Sequence, residues 1–196
     1  MDKKVYVKIQ QFYKYVFSSI TPILVKEEIH TNFFSFVVFG LTLLFAFLMM
    51  ADNPLQAGFT AILIASCDIL GSQVADSLKA KTTKQALIDS IVDRFSEIIF
   101  YTSAVVMLLQ ASKDLYATFV YLAMIGSLMT SFIMTRAKDF GIYVEWGFIK
   151  KSERFLLIAL GLFFGKTGLA VAAFIVAVMS NYTVVRLMWD IWLKKE

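Results

Sequence analysis

The sequence predicts an all-α integral membrane protein, with six transmembrane helices preceded by an N-terminal interfacial amphipathic helix. Three observations predict it. Of the 196 residues 59% are hydrophobic, against roughly 45–50% in an ordinary soluble domain. The excess falls into runs near the ~20 residues that a helix needs to cross a bilayer. The segments between those runs are short and carry the charge. One cysteine, Cys67, excludes an internal disulfide framework. No short apolar core with a cleavage site follows the charged, aromatic first residues, so no removable signal peptide is expected.

The chain reads as a single membrane domain over residues 1–196. Residues 3–18 are too polar to span, but Ile9, Phe12, Tyr13 and Val16 share one helical face, with Lys4, Lys8 and Gln11 toward the other. That pattern suits a helix lying on an anionic leaflet or packed on the bundle. Thr21-Pro22 breaks it, and Lys26-Glu27-Glu28 keeps the chain in water up to His30, the sole histidine. Spans are expected at about 32–51, 55–75, 87–109, 115–135, 154–164 and 169–192. Asp52-Asn53-Pro54, Ser112-Lys113-Asp114 and Gly165-Lys166-Thr167-Gly168 supply turns, and polar connectors cover about 76–86 and 136–153. If both termini are cytoplasmic, every Lys and Arg except Lys113 and Lys166 lies on or near that side. This is the bias that orients membrane proteins. Membrane lipids are the expected partners, and no nucleic acid is.

Acids inside or beside such helices are costly unless they face a polar cavity, a metal or a cation. Asp68 lies about two turns from the end of the second span, and Asp89, Asp93 and Glu97 lie in the first half of the third. The i, i+4, i+8 spacing drifts by only about 40° per step, so the three acids share a face. With Asp68 on a neighbouring antiparallel helix, carboxylates from two helices converge near the cytoplasmic surface. Such oxygens suit Mg²⁺, Mn²⁺ or Ca²⁺. No Cys/His cluster suggests zinc, and one distant histidine builds no Ser-His-Asp set. A structural reading stands beside this one: Asp89 as a helix cap, and Asp93 paired with Arg94 or Arg154. Arg94, Arg136, Lys138, Arg154 and Arg186 around the same mouth suggest an anionic, phosphate-bearing substrate.

From Asp68 onward the chain aligns without gaps to DxxDGxxAR, eight residues, GxxxDxxxD. It resembles the signature of the CDP-alcohol phosphotransferase family. Asp68, Ala75, Asp89 and Asp93 fall on signature positions. LIDSIVDRFSE, TRAKDFGIYVEWGFIKKSERFLL and NYTVVRLMW resemble the branch that makes phosphatidylinositol phosphate or its archaeal-lipid counterpart. Thr31-Asn32-Phe33-Phe34-Ser35 resembles the PNxxT that opens the family's first span.

The resemblance implies transfer of a phospho-alcohol group from a CDP-linked lipid to a polar acceptor, such as a phosphorylated polyol, with release of CMP. It implies divalent metal, Mg or Mn, on Asp68, Asp89 and Asp93, with Asp93 also the general base. Gly71, Ser72 and Ala75 would lie against the nucleotide, and Arg136, Arg154 and Arg186 would receive an acceptor phosphate. It also implies a homodimer. Four signature positions differ: Gly71 for the second Asp, Ser72 for the first Gly, Asp76 for the Arg and Gln85 for the second Gly. Gly71 removes a ligand, so one ion rather than two is expected, with Asp76 or Glu97 as compensating oxygens. Met134 stands where some members of the branch have a Lys. Two alternatives remain open at this point: a relative that binds or assembles without turnover, and a small ion-coupled transporter.

Overall fold

The computed structural model describes residues 31–78, 83–142 and 149–193. The expected interfacial helix at 3–18 and His30 lie outside them. Six helices, and no strand, are present among the described residues: α1 (Thr31–Met50), α2 (Pro54–Leu78), α3 (Thr83–Gln110), α4 (Asp114–Asp139), α5 (Lys151–Phe163) and α6 (Gly165–Leu193). α1, α2, α4 and α6 are long and apolar enough to cross a membrane, and the chain is an integral membrane protein. α3 is 28 residues long but carries charge through its first half. α5 has 13 residues and so rises only about 20 Å, short of a ~30 Å hydrocarbon core.

The helices close a ring. α1 packs on α2 and α3, α2 on α5, α5 on α6, α6 on α4, and α4 on α3. Small residues let them approach: Ala57, Ala61 and Ala65 give α2 a narrow buried seam at helical spacing. Between α5 and α6 the backbones nearly touch. A Cβ on Gly161 would stand 2.6 Å from the Gly168 carbonyl oxygen. Gly165, at φ +72°, turns the chain alone, so 165–168 opens α6 and is not the turn that the sequence suggested. The helices also run past the expected span ends. α2 continues to Leu78 and α4 to Asp139, because segments beyond the bilayer can stay helical while presenting charge to water. Gly141, at φ +70°, ends that run, with Ile142 N–H donating to Ala137 O at 2.8 Å.

The core inside the ring is an aromatic column. Phe45 of α1 stacks on Phe100 of α3 with centroids 4.2 Å apart, and Phe100 meets Phe155 of α5 at 4.4 Å. All three are fully buried, and such ring pairs add to the stability that burial gives. At one end of the bundle, Lys166 Nζ lies 2.9 Å from Asp52 Oδ2, tying the start of α6 to the α1–α2 turn. The acids sit toward the other end.

Candidate active site

The face that α3 turns inward carries Asp89, Asp93, Glu97 and Phe100 along successive turns, and each acid has its own partner. Asp89 is buried and accepts a hydrogen bond from Ser35 Oγ of α1 at 2.9 Å. It lies in the second turn of a helix that begins at Thr83, so it is not the N-cap that spacing allowed. Ser35 occupies the Thr position of the PNxxT-like stretch, which gives that stretch a physical role in fixing an acid of the site.

Asp93 pairs with Lys151, not with Arg94 or Arg154. Lys151 Nζ stands 3.2 Å from Asp93 Oδ1 and 3.2 Å from Asp68 Oδ1. The nitrogen is buried and meets these oxygens as ion pairs, off the directions of aligned hydrogen bonds. Burial disfavours its charge, and two carboxylates at contact distance favour it.

Glu97 is a deep structural group. Its Oε1 accepts from Arg154 Nη2 at 3.2 Å and from Ser127 Oγ, and both charged residues are almost wholly inaccessible. Arg154 also donates to Ser131 Oγ and to Ile149 O, each at 3.3 Å. Glu97 therefore cannot lend an oxygen to the site as the sequence suggested. The local sequence explains the arrangement: Glu153 Oε2 accepts from Lys150 N at 2.9 Å, capping the start of α5. Lys151 and Arg154, at i and i+3, then project from one face.

Two cavities flank this row. The first, of about 220 Å³, is lined by Phe34, Ser35, Val38, Cys67, Asp68, Gly71, Ser72, Ala75, Asp89 and Asp93. The fold thus brings together the three expected metal ligands and the three expected nucleotide contacts. The second, of about 180 Å³, is lined by Thr130, Ser131, Met134, Thr135, Ile149, Lys150, Lys151 and Arg154. Of the three arginines expected on an acceptor phosphate, only Arg154 lines either cavity. Arg136 and Arg94 each stand 5.8 Å from the centre of the Phe132 ring, and Arg186 pairs with Asp190 at 3.8 Å. Asp76 lies on α2, but its side chain is outside the described residues, and Gln85 lines neither cavity.

Sequence reasoning missed two residues. The sequence puts Lys151 in the polar connector 136–153; its i, i+3 relation to Arg154 is the available signal. In the sequence Phe34 is only an unspecified position of the PNxxT-like stretch that opens the first span. A Cβ on Gly71 would lie 2.8 Å from Phe34 Cβ and 3.2 Å from its Cγ, so the ring covers the position where the family carries its second Asp.

No family model matches the chain. Two proteins of Aquifex aeolicus (strain VF5) are similar to it. One, described only as an uncharacterized protein, is 25% identical over 185 residues, covering 93% of this chain and 92% of that protein. The other, a bifunctional IPC transferase and DIPP synthase, is 30% identical over 188 residues, covering 92% of this chain but 42% of that protein. Among solved structures, Mycobacterium tuberculosis phosphatidylinositol phosphate synthase with CDP-DAG bound superposes with a TM-score of 0.73 at 18% identity, covering 91% of this chain and 94% of that one. The same enzyme with manganese and citrate gives 0.73 at 19% identity, covering 89% and 88%.

That neighbour holds manganese; in this chain the residues present do not fit a two-ion centre. Among the described residues no three His, Cys, Asp or Glu side chains converge on one point. The second-Asp position is a glycine under a phenylalanine, and an ammonium stands between Asp68 and Asp93. The departures lie in the site and leave the scaffold intact: the chain has the fold of the CDP-alcohol phosphotransferase family, the family its sequence resembles.

Proposed function

We propose that the chain is a membrane phosphotransferase of phospholipid biosynthesis, moving a phospho-alcohol group from a CDP-linked lipid to a polar acceptor and releasing CMP. The observation that carries this reading is the first cavity, where Asp68, Asp89 and Asp93 from two helices face Gly71, Ser72 and Ala75. In this reading an acceptor hydroxyl oxygen attacks the lipid-bearing phosphorus as the bond to CMP breaks. Asp93, half-exposed to the cavity, takes the hydroxyl proton. The second cavity, with three hydroxyls, Lys150 and the wall formed by Lys151 and Arg154, suits a polar, anionic acceptor. The acid end faces the cytoplasm, as the lysine and arginine bias implies. A homodimer is part of the same proposal, through the family alone.

A second reading has its own support. Phe34 over Gly71 and Lys151 between two acids favour a relative that keeps the fold for binding or assembly. CMP release from a CDP-linked lipid by the purified protein separates the two, with inositol phosphate, glycerol phosphate, inositol and serine as acceptors. Release that requires an acceptor and vanishes in Asp93→Asn supports the transferase. Folded protein that releases none, beside an active homologue, leaves the binding reading.

A further inference from the structure

We propose that the Lys151 ammonium is a built-in cation that fills the place of a divalent ion between Asp68 and Asp93, so that these acids bind no metal in this chain. The inference concerns the site of the transferase reading, but its test needs neither donor nor acceptor.

Three independent features of the structure converge on it. Lys151 Nζ touches one oxygen of each acid at the same 3.2 Å, the bridging position that a shared cation takes. A divalent ion there would stand in contact with a positive charge. Lys151 has no second acid waiting on that face, since Glu97 Oε1 is already engaged by Arg154 and Ser127. The third feature is Gly71. It offers no oxygen, and Phe34 occupies the space an acidic side chain would need. An absent carboxylate and a resident ammonium act in one direction, reducing the negative charge that draws a divalent ion. Lys151 also lines the second cavity while its nitrogen faces acids of the first.

The test is a Mn²⁺ titration of the purified full chain, following loss of the free-ion electron paramagnetic resonance signal. Wild type should show no saturable binding that depends on Asp93. Lys151→Met should bind Mn²⁺ tighter by on the order of tenfold or more, because one positive charge at contact distance has gone. Adding Asp93→Asn to it should abolish that gain. Lys151→Gln serves as the second variant if Lys151→Met does not assemble. Wild-type binding that Asp93→Asn abolishes overturns the proposal. So does a folded Lys151 variant that gains no Mn²⁺. Because no CMP is measured, failure here is distinct from failure of the transferase reading.

Discussion

Two ion pairs one helical turn apart on α3 have opposite characters. Glu97 and Arg154 are sealed in the ring, and each of the two side chains is about 2% exposed. Asp93 is 43% exposed at its side chain and opens on a cavity, with Lys151 as its partner. The two cations come from the same turn of α5. What separates the pairs is depth: the first closes the bundle above the aromatic column, and the second borders space that a ligand can enter. A buried pair is seldom a net source of stability over an apolar replacement, but removing one partner strands a charge. Asp93 opens on the cavity, and without it Lys151 still has Asp68 at 3.2 Å, so losing that half of the pair costs little. Retaining the first therefore concerns the scaffold, and retaining the second concerns the site.

Breaking the deep pair should have the largest effect. Arg154→Met leaves Glu97 buried with only Ser127 as a partner, and should cost about 3–5 kcal/mol, read as a lower unfolding midpoint in detergent. The next effect is steric and sharpens the site side of the comparison. Gly71→Asp restores the acid of the family signature but drives its Cβ into Phe34, an overpacking that should cost about 1–3 kcal/mol. Combined with Phe34→Ala, it should cost less than the two single changes together, because the cavity left by one holds the side chain of the other. A fully additive double variant would mean that Phe34 does not guard that position.

How much of this was legible before the structure follows from what spacing encodes. The i, i+4, i+8 row puts Asp89, Asp93 and Glu97 on one face, and the antiparallel course of the second span puts Asp68 opposite them. Both hold in the first cavity, except that Glu97 lies below it. Spacing gives a face, whereas depth depends on which turn meets which neighbouring helix. Spacing therefore allows Arg94 or Arg154 as a partner of Asp93, whereas Arg154 reaches Glu97. Lys151 was hidden for a related reason: the helix begins at Lys151 through the Glu153 cap, and a span drawn from hydropathy began at Arg154. The Phe34–Gly71 contact joins residues of two helices with no charge or motif to mark it. The six-span expectation blurred where hydropathy is weakest, in charged α3 and short α5, both held by packing inside the ring.

The most direct measurement compares the unfolding midpoints of Glu97→Gln and Asp93→Asn in the same detergent. The division of α3 into a scaffold acid and a site acid predicts a loss of about 3–5 kcal/mol for Glu97→Gln. It predicts less than about 1 kcal/mol for Asp93→Asn. Equal losses, or the larger loss at Asp93, would contradict it.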